Sequence, residues 1–251
     1  MAFQKGLINL EGRIDNLTFF QTKYGTVVRK KSGISGDRLK KDPVFVRARE
    51  NMSEFGRSGK ATKLIRAAFK TQIQNFGDDR FTQRLVQTIM RIIKSDNVNG
   101  RGERNFVNGD VSQMLTMQFN MQAALQQSLL APFTSSIDRQ TGRLIVEVPG
   151  FVPADKVSKS TGATHFRLIA TAAELDFAAE MRVSHEDVTH DLVIGSQVET
   201  VKLMCQLPES SSKTLLLTLG IQFGQVSNGT FYPHKDKGHN AMAFIQIDKP
   251  A

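Results

Sequence analysis

Cysteine, tryptophan and long apolar runs are scarce in this chain. It has one cysteine, Cys205, in 251 residues, which excludes an intramolecular disulfide and a cysteine-based zinc site. Because Cys205 lies in the apolar run 201–207, we expect a buried, inert thiol. No apolar run approaches the roughly 20 residues that cross a bilayer as a helix, so we expect no membrane span.

A secretory signal is also missing from the first 20 residues. Residues 1–10 contain no continuous apolar core, and residues 12–16 are polar and charged. We therefore expect a cytoplasmic location by default, with export by a route that needs no signal left open.

Aromatic residues other than phenylalanine are few: there is no Trp, and two Tyr stand against 17 Phe. Proteins that bind single-stranded nucleic acid stack bases on exposed Tyr, Trp and Phe. This composition argues mildly against a dedicated single-strand binder.

Positive charge is concentrated at one end of the chain. Residues 1–110 contain 22 Lys and Arg against 11 Asp and Glu, a net charge of +11, whereas residues 111–251 contain 11 against 13, a net charge of −2. Such an asymmetry is typical of a protein whose basic half meets a polyanion or an acidic protein surface.

Ten basic residues are candidates for binding such a partner. They lie in an N-terminal arm and linker and along one arc of a predicted helix: Arg29, Lys30, Lys31, Arg38, Lys40, Lys41, Lys60, Lys63, Arg66 and Lys70. Three interpretations stay open: a solvated helix face, an acidic protein or neighbouring subunit, and a nucleic acid whose phosphates would release counterions. No helix-turn-helix, zinc-finger or RNA-recognition signature supports reading of bases.

The first 41 residues predict a small β arm. The apolar piece 17–20 and the β-branched residues of 26–29 indicate two strands, with a turn at Lys23, Tyr24 and Gly25. A hairpin of this size is not stable alone, so it must dock on the chain's own body or on a neighbour. Its apolar residues are the candidate assembly interface: Phe3, Leu7, Leu17, Phe19, Phe20, Tyr24, Val27 and Val28.

Residues 42–110 predict helices. Asp42 followed by Pro43 is a helix start signal, and apolar residues then recur at helical spacing in two stripes. The first stripe is Phe45, Ala48, Met52 and Phe55, and the second is Ile65, Ala68, Phe69, Ile73 and Phe76. Because the stripes are offset, we expect a kink or a break between Gly56 and Gly59. A further helix buries Phe81, Leu85, Ile89 and Ile92, and residues 97–109 form a loop.

Residues 111–251 predict an antiparallel β-sandwich. Leu115, Met117, Phe119 and Met121 alternate, and apolar strands follow at 129–137, 144–148, 164–170, 200–207, 215–226, 230–232 and 241–247. Turn residues separate these short strands, which is the pattern of a sandwich rather than of a parallel α/β sheet.

Motifs for chemistry are absent. The histidine pairs His185 with His190 and His234 with His239 are each five residues apart, which does not place both on one helix face, and surface loops are the expected location. Neither a nucleophile elbow nor a phosphate loop is present. We therefore expect no enzyme activity, no cofactor and no metal.

Several stretches of the chain form distinctive motifs: GRIDNLTFF at 12–20, YGTVVR at 24–29, DPVFVRAREN at 42–51, FGR at 55–57, LAPFT at 130–134, IDR at 137–139 with Gly142, and VPGFVPA at 148–154. In these stretches the chain resembles a group of uncharacterised bacterial proteins, mostly from Bacteroidota, classed as domains of unknown function. The resemblance implies an N-terminal hairpin, basic helices and a C-terminal β domain, and it transfers no catalytic residue.

The sequence thus favours an α+β protein in three parts: an arm and basic linker at 1–41, a helical region at 42–110 and a β-sandwich at 111–251. The leading hypothesis is a structural subunit that assembles with copies of itself into a filament, tube or particle. Neighbours would be joined by exchange of the N-terminal arm and by charge complementarity between subunits. The alternative is a protein that binds nucleic acid without sequence preference through its basic half.

Overall fold

A computed structural model describes residues 2–3, 10–30, 33–115, 117–158, 162–234 and 237–250 of the chain. The chain forms two compact units, residues 1–51 and residues 52–251. The predicted division into parts 1–41, 42–110 and 111–251 stays a prediction.

The first unit contains a small antiparallel sheet. Its strands are β1 (Ala2–Phe3), β2 (Gly12–Ile14), β3 (Leu17–Thr22) and β4 (Gly25–Lys30), in the order β1-β4-β3-β2. The predicted hairpin is therefore present as β3 and β4. Gly25, at the end of the turn, has a φ of +119°, a backbone conformation that residues with a Cβ atom rarely adopt.

A short helix, α1 (Gly36–Lys41), follows the sheet, and Ser35 Oγ accepts a hydrogen bond from the Arg38 N–H at 3.2 Å at its start. The predicted start signal then appears as a 3-10 helix at Pro43–Phe45, where the Asp42 carboxylate accepts a hydrogen bond from the Val44 N–H at 3.0 Å. The residues predicted to lie in a basic linker, Arg38, Lys40 and Lys41, thus belong to a helix.

The long helix α2 (Val46–Ala68) begins in the first unit and continues into the second. It runs unbroken through Gly56 and Gly59, so a break there is wrong, while a kink stays a prediction. An exposed glycine costs a helix only about 1 kcal/mol, which a helix of this length tolerates. The irregularity comes instead at Phe69, whose φ of −108° and ψ of 31° separate α2 from α3 (Lys70–Phe76).

Helix α4 (Phe81–Lys94) follows Gly77 and buries Phe81, Leu85, Ile89 and Ile92 as predicted. A loop leads to a 3-10 helix at Val111–Met114. The alternating residues after it do not form the predicted strand. Met117 and Phe119 are buried while Leu115 and Met121 are exposed, but the described residues of this segment make only an isolated bridge, from Gln118 to Ala243.

The remaining chain is mostly antiparallel sheet, with the short helices α5 (Leu125–Ser128) and α6 (Pro153–Lys156) and a 3-10 helix at Lys237–His239. Its strands are β5 (Thr134–Asp138), β6 (Arg143–Phe151), β7 (His165–Asp176), β8 (Met181–Val188), β9 (Leu192–Val193), β10 (Glu199–Gln206), β11 (Thr214–Ser227), β12 (Thr230–Pro233) and β13 (Ala241–Asp248).

These strands form two sheets. One has the order β10-β6-β5, and the other the order β12-β11-β7-β8, with β13 added beside β11 and β9 beside β7. The chain therefore has the predicted mixed α+β class, with a large antiparallel sheet in its C-terminal half.

Two cores lie on opposite faces of the larger sheet. Between the two sheets, residues such as Leu144, Phe166, Cys205 and Leu217 form one core. On the other face, Ile65, Phe69, Phe81 and Leu85 from the helices pack against Ile169, Leu216 and Phe244 from the sheet. Strand β11 is thus buried on both faces, which explains its near-continuous apolar sequence.

None of the helices in the described residues combines the length and the apolar character that spanning a bilayer requires.

Candidate assembly surfaces

The N-terminal sheet carries apolar side chains on both faces. Successive residues of a strand point to opposite faces, and directly paired residues share a face. Leu17, Phe19 and Val28 therefore share one face, because β3 and β4 pair Phe19 with Val28, while Phe20 and Val27, also paired, share the other. An isolated sheet normally has one polar face toward water, and this one has none along its centre.

Burial within this sheet is slight. Among the described residues of the first unit, only Thr26 and Val27 are buried. Leu17, Phe20 and Tyr24 expose 40%, 36% and 78% of their surface. The sheet therefore leaves most of its apolar surface uncovered within its own unit.

The eight predicted interface residues divide as follows. Phe19 and Val28 are half-buried, and Leu17, Phe20 and Tyr24 are exposed. Val27 is buried, with 5% of its surface exposed. Phe3 is paired with Val27 through β1, and Leu7 lies outside the described residues.

Ile14 belongs to the same surface, although it is not among the interface residues predicted from the sequence. It pairs with Leu17 through β2 and exposes 56% of its surface. It lies between two charged residues, Arg13 and Asp15. Only the alternation of side chains between the two faces of β2 could have indicated from the sequence that Ile14 belongs to this surface.

Arg49 fixes the segment that follows the sheet. Its guanidinium Nη1 donates to the backbone carbonyls of Leu39 at 3.0 Å and Asp42 at 2.9 Å. These bonds tie the end of α1 to the first turn of α2. Arg38 in turn pairs with Asp42 at 3.1 Å. Some of the basic character of this region therefore serves local structure.

The predicted basic arc lies on two helices rather than one. Lys60, Lys63 and Arg66 are exposed on α2, and Lys70 is exposed at the start of α3, after the irregularity at Phe69. In the first unit, Arg29 and Lys30 are exposed at the end of β4, and Lys31 lies outside the described residues.

One member of the arc has an acidic partner in its own unit. Lys60 Nζ lies 2.8 Å from Glu180 Oε1, in the turn between β7 and β8. The hydrogen bond and the charge of Lys60, together with the charge of Lys63, hold the pKa of Glu180 below its ordinary value. The positive potential of the arc is therefore partly balanced at its Lys60 end.

A cleft of about 730 Å³ lies at the corner between α3 and α4. Burial raises the pKa of Asp78 there, but its hydrogen bonds from Arg84 and from the N–H groups of Met121 and Arg80, with the charge of Arg84, outweigh burial and lower it. Arg84 Nη1 lies 2.7 Å from Asp78 and Nη2 donates to Phe119 O at 3.1 Å. The ion pair and the bond to the Phe119 carbonyl hold the corner together, while the buried Nε of Arg84 has no hydrogen-bond partner among the described residues.

His185 lies on strand β8, which corrects the expectation of a surface loop, and it is exposed there. In the part of the chain that the structure describes, no three His, Cys, Asp or Glu side chains come together as metal ligands. Cys205 is buried between the sheets, as predicted, and donates a hydrogen bond to Ala170 O at 3.5 Å.

Comparison with known proteins gives no match: no family model, no curated protein and no solved structure is similar to this chain. The resemblance to the bacterial proteins of unknown function stays an interpretation of the motifs.

Proposed function

We propose that this protein is a structural subunit that assembles with copies of itself through its N-terminal sheet. The observation that carries the proposal is the apolar, exposed character of both faces of that sheet. Ile14 and Leu17 on one face and Phe20 on the other expose between 36% and 56% of their surface.

The energetic argument concerns the size of the sheet. A few short strands with almost no buried residues do not offset the entropy of ordering them. Removing apolar surface from water contributes about 25 cal/mol per Å², so covering both faces with a neighbour would stabilise the arm and the contact together.

Charge supports the same arrangement. The arm ends in Arg29 and Lys30, and residues 1–110 carry a net charge of +11 against −2 for the remainder. A basic arm that meets the acidic half of a neighbour forms a head-to-tail contact. Such a contact generates a ring if its rotation closes and a filament or tube if it does not.

The test is assembly in the presence and absence of the arm. Full-length protein and a variant lacking residues 1–31 are compared by size-exclusion chromatography with light scattering and by negative-stain electron microscopy. We expect large particles from the full chain and small species from the deletion. Full-length protein that stays monomeric at high concentration overturns the proposal.

Point variants separate loss of the contact from loss of the arm. Ile14→Lys and Leu17→Lys place charge on the exposed face of the sheet. Both side chains are exposed, so we expect both variants to fold. Val98→Lys is the matched control, because Val98 is 78% exposed on a loop of the second unit. We expect the first two variants, and not the third, to shrink the particle.

Nucleic-acid binding is the second candidate, favoured by the exposure of Lys63, Arg66 and Lys70. Each phosphate contact on duplex DNA would lower log K by about 0.9 per unit of log salt. Binding at about 50 mM salt that weakens on replacing these three residues with Gln supports it, and no binding to any DNA or RNA at that salt removes it.

A further inference from the structure

Strand β8 is an unpaired edge of the larger sheet. It pairs with β7 on one side and ends the strand order β12-β11-β7-β8, and among the described residues no strand pairs with it on the other side. Strand β10 lies near its C-terminal end, where the Met204 N–H donates to the Asp187 carboxylate at 2.7 Å. The six residues from Met181 to Glu186 are all exposed. An edge strand with free N–H and C=O groups is a template on which another strand can pair.

The register shows which backbone groups are free. Thr189 N–H donates to Leu168 O at 3.0 Å, and the pairing of β7 with β8 continues this register. Because hydrogen-bonding direction alternates along an antiparallel pair, Val183 and His185 point their backbone groups toward β7. Arg182, Ser184 and Glu186 point theirs toward the free edge.

These three residues also share one face of the sheet. They lie opposite Leu175, Ala173 and Thr171 of β7, and Gln72 of α3 donates a hydrogen bond to the Glu186 carboxylate on that face. The charge order along the free edge is therefore basic at Arg182, neutral at Ser184 and acidic at Glu186.

This order is self-complementary, and we propose that β8 pairs antiparallel with β8 of a second copy about a two-fold axis at Ser184. Ser184 then faces Ser184 of the second copy, and Arg182 faces Glu186 on each side of the axis. All three pairs use backbone groups that point to the free edge.

Neighbouring registers lose this match. A two-fold axis at His185 places Arg182 opposite Val188 and Glu186 opposite Ser184, so neither charge meets its opposite. An axis at Glu186 places two carboxylates directly opposite each other, which is destabilising. A strand from another protein that lacks an acidic residue opposite Arg182 and a basic residue opposite Glu186 would not form these two pairs. Charge complementarity thus selects a second copy as the occupant.

The contact goes beyond the proposed function, because it lies in the second unit and does not use the N-terminal sheet. A two-fold contact closes on itself and produces only a pair. Combined with a head-to-tail contact through the arm, it would join two such chains of subunits side by side.

The first test places one thiol on the axis in the full chain. Directly opposite residues in a hydrogen-bonded antiparallel pair have Cα atoms about 5.5 Å apart, within the range of a disulfide. Cys205 is fully buried and gives no background. We expect Ser184→Cys to form a covalent dimer on mild oxidation, whereas Ser53→Cys, exposed on α2, does not. Equal cross-linking of the two variants overturns the proposal.

The second test exchanges the charges. We expect Arg182→Glu or Glu186→Arg alone to weaken the β8 contact roughly 10- to 30-fold, from two cross-strand pairs turned repulsive. The double variant restores opposite pairs and should return to within about threefold of the original dissociation constant. Sedimentation equilibrium measures all four proteins, and far-UV circular dichroism checks that each is folded.

Unchanged association in both single variants overturns the β8 contact, and so does a double variant no better than the singles. Those outcomes leave the arm contact intact, since Ile14→Lys and Leu17→Lys test it separately. Conversely, β8 dimers that persist when the arm variants have no effect retain this proposal and reject the arm.

Discussion

Glu54 and Gly102 are joined by a buried hydrogen bond: the carboxylate Oε1 of Glu54 accepts from the Gly102 N–H at 2.9 Å. Glu54 lies on α2 and is 2% exposed, and Gly102 lies in the loop after α4. Arg57, one turn further along α2, donates to the carbonyl oxygen of the same glycine. One peptide segment of the loop is thus held through both its donor and its acceptor.

Replacing Glu54 with Ala should lower the free energy of unfolding by about 1–3 kcal/mol, because the Gly102 N–H stays buried without an acceptor. Urea denaturation followed by far-UV circular dichroism measures this change. Glu103→Ala, an exposed position in the same loop, is the control and should stay within about 0.5 kcal/mol. Equal effects from the two variants would contradict a structural role for Glu54.

Asp96 should make part of the stability dependent on acid. Burial raises the pKa of Asp96, but the Asn99 amide and the N–H groups of Asn105, Asn99 and Val98 outweigh burial and lower it to about 2 from 3.8. A lowered pKa stabilises the folded state above pH 3.8 and loses that contribution as pH falls through about 2. Asp96→Asn should cost about 1–3 kcal/mol at pH 6.

The measurement is the urea midpoint of the original protein and of Asp96→Asn between pH 7 and pH 2. We expect the gap between the two midpoints to be wide above pH 4 and to close toward pH 2. A gap that stays constant across this range would show that the Asp96 charge does not contribute.

Phe69 and Phe55 should differ sharply in their contribution to stability. The Phe69 ring is fully buried and meets the Phe244 ring edge to face, with centroids 5.4 Å apart and planes at 82°. Phe69→Ala should cost about 3–5 kcal/mol through the cavity that it leaves. Phe55, which is 62% exposed, should cost about 0.5 kcal/mol or less when replaced by Ala. Similar losses for both would contradict the burial of Phe69 and the exposure of Phe55.

Cys205 should be inert in the folded protein. Burial raises the pKa of its thiol to about 11, so little thiolate forms at neutral pH and reagents cannot reach it. A disulfide reagent at pH 8 should label Cys205 only when urea unfolds the chain. Rapid stoichiometric labelling without denaturant would show that the space between the sheets opens.

The sequence predicted the elements whose apolar spacing reflects burial. Strand β11 was evident from its apolar run, and α4 from Phe81, Leu85, Ile89 and Ile92. Strand β8 was missed, because both its faces are largely exposed and charged residues interrupt its alternation. Around Phe119, by contrast, alternation arose without a strand, since Met117 and Phe119 fill the core while the backbone makes only one bridge.

For the candidate surfaces, the sequence shows which residue types the N-terminal sheet carries, but it does not show how those residues pair. The two-sided distribution of Leu17 and Phe20 depends on the register of β3 with β4. The order of charges along β8 is also visible in the sequence. Whether these charges can pair with a second strand depends on which backbone groups point to the free edge. That direction follows from a hydrogen bond between Thr189 and Leu168, which no local pattern predicts.

The core shared by Phe69 and Phe244 has a consequence for biosynthesis. The apolar face of α2, α3 and α4 leaves the ribosome long before β11 and β13, which complete its cover. At synthesis rates of about 5–20 residues per second, on the order of ten seconds pass between the synthesis of these helices and that of β13, and their phenylalanines stay exposed during this time. A product terminated before β13 would lack Met242 and Phe244 and would leave the part of that face that they cover exposed to water.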